Sequence, residues 1–158
     1  PFRSRPARRG RCIVQPLVPA AQAAAVGSKD HMILRHAIVA DDNHIFRQGL
    51  VSLLLAVFVH TRVQEAQNGA QVLDMAAVEA PDLIIMDVDM PQVNGLQATS
   101  EIKSRWPSIR VIVLVLEHHH RAKAADAGAD ACLFKGVSFE DLLATVAQLG
   151  FDVSAVPI

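Results

Sequence analysis

The chain has 158 residues, 51% of them hydrophobic, enough for one domain with a sizeable core. Its net charge of −1 hides an asymmetry: residues 1–31 carry six basic side chains and one acidic one, and the other 127 residues carry 9 basic and 15 acidic. An acidic domain is poorly suited to direct nucleic-acid binding, which depends on neutralising phosphates, and better suited to meeting other proteins.

Residues 1–31 are rich in Arg, Pro and Ala and show no period that would bury a face. They are compatible with a disordered basic arm or a targeting peptide. Gly27-Ser28 and His31-Met32 also resemble a cloning scar before a natural start at Met32, the reading favoured here. The domain is expected to span 32–150, with 151–158 as a short tail. Within it, strand-like and helix-like runs alternate. A first strand is expected over His36–Ala40. Asn43 then caps a helix to Val57, with Phe46, Leu50, Leu53 and Leu54 at helical spacing. The apolar run Gly49–Val59 has the length of a buried helix and is too short for a bilayer; no stretch approaches 18 consecutive apolar residues. Thr61–Ala66 reads as a second strand near an edge, and Asn68-Gly69 opens a second helix to Val78. Leu83–Met86 is a buried third strand. Leu96–Arg105 is a helix stopped before Pro107, with Trp106 as a partly exposed cover on its end. Val111–Leu116 is the fourth strand. Arg121–Ala127 is a short helix closed by Gly128, and Ala131–Phe134 is the fifth strand. Ser138 and Asp141 resemble a capping box opening a last helix to Leu149. Five strands alternating with five helices imply an α/β fold, a flavodoxin-like doubly wound parallel sheet of order 2-1-3-4-5.

The chemistry gathers at strand ends. The first strand stops at Asp41-Asp42 and the third at Asp87, so a parallel sheet brings three carboxylates to the edge where open α/β folds bind ligands. Crowded carboxylates repel, and oxygen ligands of this kind invite a hard divalent cation, most plausibly Mg²⁺. Lys135 ends the fifth strand, and Gly136 is compatible with a turn aiming its ammonium at the same rim. Taken singly, each has a plainer reading: acids favoured at a helix N-terminus, a solvated aspartate in a turn, an exposed lysine. His118-His119-His120 lies in the loop after the fourth strand, where a transition-metal role is conceivable but solvated loop histidines are commoner. Met86 and Met90 read as packing.

Acid pair, single acid and lysine, in this order and each at a strand end, resemble the receiver domain of two-component response regulators. The resemblance covers about residues 33–149. Asp-Asp-Asn-His at 41–44 and Gly-Ala-Asp-Ala-Cys-Leu-Phe-Lys at 128–135 look like the NarL/LuxR-type subfamily, which joins receivers to helix-turn-helix output domains. The tail 151–158 is too short for such a domain, so this is either a stand-alone receiver or one parted from its effector. The resemblance implies phosphoryl acceptance on Asp87 from a histidine kinase. It also implies Mg²⁺ held directly by Asp42 and Asp87, by Asp41 through water and by the backbone carbonyl of Asp89, whose side chain would face solvent. Lys135 would pair with Asp87 and then with the phosphoryl oxygens. The face of helix 4, strand 5 and helix 5 would meet an effector protein or a second copy.

Three departures fall on the family's switch. The hydroxyl residue usual at the end of strand four is matched by Val115, the usual aromatic of strand five by Cys132, and the stretch between Val115 and Lys135 is short, clipping helix four. Phosphorylation is therefore expected to shift the output face weakly. The alternative is a degenerate receiver acting as a phosphorylation-independent interaction module. A hydrolase of similar fold is a weaker reading, because nothing resembles a leaving-group acid or substrate loop; no enzyme activity is expected. Cys12 and Cys132 make no disulfide framework, which fits a reduced, cytoplasmic setting.

Overall fold

The computed structural model describes residues 31–154 and, apart from them, a two-residue strand at Ile13–Val14. The readings of the 1–31 extension and of residues 155–158 otherwise lie outside the described residues. Five strands, β1 (His36–Ala40), β2 (Arg62–Ala66), β3 (Leu83–Asp87), β4 (Arg110–Val115) and β5 (Ala131–Phe134), alternate with five helices. The helices are α1 (His44–Val57), α2 (Gly69–Val78), α3 (Gly95–Arg105), α4 (His120–Ala127) and α5 (Phe139–Gln148). All pairings are parallel and the core order is β2-β1-β3-β4-β5, the flavodoxin-like order expected. Ile13–Val14 adds a sixth short strand in parallel beside β5, in register with Ala131 and Cys132. Ile and Val favour strands, but two such residues in an Arg-, Pro- and Ala-rich sequence make no run of strand length.

Alternation along the strands divides the apolar side chains between two layers. Ala37, Val39, Ile85, Ile112 and Leu133 face α1 and α5, packing with Leu54 and Val146. Ile38, Ile84, Met86, Val111, Val113 and Val115 face the other helices, with Val72, Ile102 and Ala124. Burial on both faces is what makes β1, β3 and β4 unbroken apolar runs. The arginine- and glutamate-bearing β2 is an edge strand, as its polar content requires.

Helix starts are set locally. Asn43, Asn68 and Asn94 accept from the backbone of Phe46, Gln71 and Gln97 at 3.1, 2.9 and 2.9 Å, satisfying amides the first turn leaves unpaired. Ser138 accepts from Asp141 N at 3.2 Å, and Gly128 closes α4 at φ 95°. The Gly49–Val59 run buries one face only: Leu50, Leu54 and Val57 point inward while Leu55 is 48% and Val59 75% exposed. Trp106 is half-buried at the C-terminal end of α3, the end remote from the β3–α3 loop. No helix among the described residues is long and apolar enough to cross a membrane.

Candidate functional site

The carboxyl ends of β1, β3 and β5 converge at one edge of the sheet. Asp41 follows β1 directly, and its N–H still donates to Ala66 O on β2 at 3.1 Å, so it inherits the strand's rigidity. Its carboxylate is fully buried. Oδ1 accepts from Asn43 N at 2.8 Å and Oδ2 lies 2.8 Å from Lys135 Nζ. Asp87 is the last residue of β3, almost fully buried. Its Oδ2 accepts from Lys135 Nζ at 3.0 Å and its Oδ1 from Asp89 N at 3.3 Å. Asp42 is exposed, yet an oxygen from each of Asp41, Asp42 and Asp87 lies within 4.8 Å of the others.

Lys135 reaches this cluster because β5 ends one residue earlier. Its N–H donates to Val115 O at 2.8 Å, which extends the β4–β5 ladder, and Gly136 turns the chain at φ 102°. The Phe46 ring of α1 lies 4.7 Å from Nζ and covers the ammonium on one side. Asp87 sits above the ordinary carboxylate range: burial raises it most, Lys135 opposes, and the neighbouring Asp41 raises it further. Burial works against the Lys135 ammonium, but its bonds to Asp41 and Asp87 outweigh this and its pKa is raised.

An all-oxygen donor set of three carboxylates with one ammonium among them fits a hard divalent cation and does not fit a soft one. The acids and lysine singled out in the sequence are thus brought together. Lys135 pairs with Asp41 as well as Asp87, a contact no strand-end pattern discloses. Asp89 presents an exposed side chain. Val115, the end of β4, and Cys132 are buried in the apolar layer facing α4, with Phe134 packed against it. Burial raises the Cys132 thiol above its usual pKa. The histidine run contributes no metal-like cluster among the described residues: the His118 ring packs edge-on to Phe134 at 4.5 Å, and His119 Nδ1 is 2.9 Å from Glu117.

Two features escaped the sequence reading. The β3–α3 loop folds back so tightly that Gly95 N donates to Val88 O at 3.0 Å, where a Cβ would collide with the Asp87 carbonyl. Arg47 of α1 is buried behind the acids, its Nη1 donating to Asp41 O at 2.7 Å. A signal for it existed: Arg47 stands three and seven residues before Leu50 and Leu54, a charge on the core-facing stripe.

A five-stranded parallel sheet of order 2-1-3-4-5 flanked by five helices is the architecture of the CheY-like receiver domains. The sequence model of the response regulator receiver domain family matches residues 37–147, and the chain belongs to that family. Among curated proteins it is 34% identical over 113 residues to the nitrate/nitrite response regulator protein NarL of Escherichia coli K12, covering 70% of this chain and 52% of that one. It is 35% identical over 118 residues to the transcriptional regulatory protein PdtaR of Mycobacterium tuberculosis, covering 74% and 57%. The chain therefore spans about half the length of these relatives. Of solved structures, the response regulator TrrA of Thermotoga maritima, in complex with Mg²⁺ and a beryllofluoride, matches with TM-score 0.67 at 27% identity over 73% of this chain and 99% of that one. A LuxR-family DNA-binding response regulator from Staphylococcus aureus matches with TM-score 0.65 at 26% identity, covering 74% and 99%.

Proposed function

We propose that this receiver accepts a phosphoryl group from a histidine kinase on Asp87, with Mg²⁺ as cofactor. The observation that carries the reading is the Lys135 ammonium, 3.0 Å from Asp87 and 2.8 Å from Asp41, beside three convergent carboxylates. Asp42 and Asp87 would hold the cation directly with the backbone carbonyl of Asp89, and Asp41 through water. When bound, the cation supplies neutralisation of charge on the transferred group and holds it in line with the acceptor. The protein's own part is positional. Asp87 offers a carboxylate oxygen to phosphorus as the donor's P–N bond breaks. Lys135 leaves the carboxylate oxygens to pair with phosphoryl oxygens, and Phe46 limits water on the ammonium's other side.

On the same reading output is weak. Val115 offers no hydroxyl to the phosphoryl group and Cys132 no aromatic ring to follow it, so the two phosphorylation states differ little at the face of α4, β5 and α5. That face is where an effector or a second copy would dock. The Val115 and Cys132 departures equally favour the second reading, a receiver that acts as an interaction module without phosphorylation. Intact mass after incubation with Mg²⁺ and acetyl phosphate separates the two. One added phosphoryl group, absent in Asp87→Ala, is expected. No adduct under conditions that label a control receiver refutes acceptance and leaves the interaction module.

A further inference from the structure

We propose that Arg47 is a positioning residue for the cation site, locking the β1–α1 turn that aims Asp42 to the end of β2. The inference rests on the reading of Asp41, Asp42 and Asp87 as cation ligands given above. Arg47 is 5% exposed, and a guanidinium so buried is tolerated only when its donors are matched. Here three acceptors from three different elements meet it. Nη1 donates to Asp41 O at 2.7 Å, Nε to Glu65 Oε1 at 3.0 Å, and Nη2 lies 3.0 Å from His44 Nδ1. One planar group thus ties the end of β1 to β2 and to the first residue of α1.

The Asp41 carbonyl is the decisive contact. The Asp41 carboxylate is fixed by its own bonds to Asn43 N and Lys135. Asp42 differs: its exposed carboxylate makes no hydrogen bond among the described residues, so the backbone alone fixes where its Cα–Cβ bond points. The Asp41–Asp42 peptide plane decides where the Asp42 Cβ leaves the chain. Nη1, by holding the carbonyl of that peptide, holds the plane. Glu65 keeps the guanidinium from rotating, and its Cα partner across the ladder is Val39 of β1, so the brace closes on the strand that carries the acids. A lysine in place of Arg47 could serve one acceptor at a time and would lose the bridge.

The test uses the full chain and Mn²⁺ as a probe, its free concentration read by electron paramagnetic resonance. Trp106 is a poor reporter, since the eleven residues of α3 place it about 16 Å from the site. Arg47→Met is expected to weaken Mn²⁺ binding about tenfold, as loss of a partner behind metal ligands commonly does. Arg47→Lys is expected to recover only part of this. Glu65→Gln, one step further from the ligands, should weaken binding in the same direction and by less, and the double variant should be no worse than Arg47→Met alone. Backbone amides 42–46 should exchange faster in the metal-free variant. Acetyl phosphate labelling should need more Mg²⁺ yet reach the wild-type maximum at saturation.

Wild-type affinity in a folded Arg47→Met chain overturns the proposal. So does a lowered labelling maximum with unchanged metal affinity. If Arg47→Met fails to fold, Glu65→Gln decides, and unchanged affinity and amide exchange there overturn it. A wild-type chain that binds no Mn²⁺ is a separate failure, that of the cation reading itself, and takes the positioning role with it.

Discussion

Gly95 is the position where one added methyl tests the closest approach in the site. It opens α3, and nothing about its backbone angles demands glycine; space does. A Cβ there would lie inside 3.0 Å of the Asp87 carbonyl oxygen, 2.9 Å from its carbon and 3.0 Å from Val88 Cα. All three are backbone atoms at the end of a strand paired on both sides, so no side chain can swing away. The helix cannot easily yield either: Thr99 Oγ1 donates to Gly95 O at 2.6 Å, and Asn94 and Gln97 form a reciprocal cap. Overpacking typically costs about 1–3 kcal/mol, and a clash confined to backbone belongs at the upper end. Taking ~3 kcal/mol, with about 3–5 °C per kcal/mol for a domain this size, Gly95→Ala should lower Tm by about 10–15 °C. Gly49→Ala is the matched control. It sits inside α1 with nothing within 4 Å of a new Cβ, and should gain about 0.5–1 kcal/mol from helix propensity and raise Tm by a few degrees. Circular dichroism melts of both variants, with intact-mass labelling of whatever Gly95→Ala remains folded, decide the matter. A Gly95→Ala melt within about a degree of wild type would refute the tight return of the loop onto Asp87, on the same scale.

Burial and Asp41 hold the Asp87 pKa up, so its ionised form costs stability that the fold supplies. Asp87→Asn should therefore raise the metal-free Tm at pH 7 by ~2–6 °C, with Lys135 still held by Asp41, and the gain should shrink as pH falls through the folded-state pKa of Asp87. Mg²⁺ should stabilise the wild type, by about 1.4 kcal/mol at ten times its Kd, and should leave Asp87→Asn nearly unmoved; equal shifts would count against Asp87 as a ligand. Val115→Thr buries a hydroxyl in an apolar layer and should cost about 1–2 kcal/mol without ligand. The same variant should gain more Tm than wild type on adding Mg²⁺ and beryllofluoride, because the hydroxyl then has an acceptor; an equal gain would show that Val115 does not face the phosphoryl position.

What the sequence disclosed was local. Apolar runs that stop on carboxylates mark β1 and β3, and caps such as Asn43, Asn68, Ser138 and Gly128 act within a few residues of themselves, so both are written in consecutive letters. Contacts that depend on register between distant strands are not. Lys135 at the end of β5 meets Asp41 at the end of β1 across the two strands between them, β3 and β4, and no spacing along the chain encodes that 2.8 Å contact. The pairing of Ile13–Val14 with β5 is equally non-local. The apolar surplus of the Gly49–Val59 run misled in a different way: periodicity of 3.6 allows only one stripe of α1 inward, so Leu55 stays outside, and Val59 lies past the end of the helix. Arg47 was legible in principle, since a charge on that stripe has to be paired, though its partner on Asp41 was not.

On the proposed reading the acids can be intact while the switch positions are altered, because the two neighbouring sets rely on different contacts. Asp41, Asp87 and Lys135 are joined to one another by charge-assisted contacts. Val115 touches that set through its backbone carbonyl, which accepts from Lys135 N, while its side chain lies in the apolar layer with Cys132. Phe134, two residues on and so on the same face of β5, is already engaged, with the His118 ring at 4.5 Å and the Arg121 guanidinium at 5.0 Å. A hydrogen bond from a hydroxyl to a charged phosphoryl group is worth about 1.5–3 kcal/mol. That is roughly a ten- to hundredfold bias between conformations, and a ligand shifts an equilibrium only by its differential affinity. On the proposed reading, phosphorylation of this chain forgoes that bias. A comparable output would need a ground state already near balance between its two conformations.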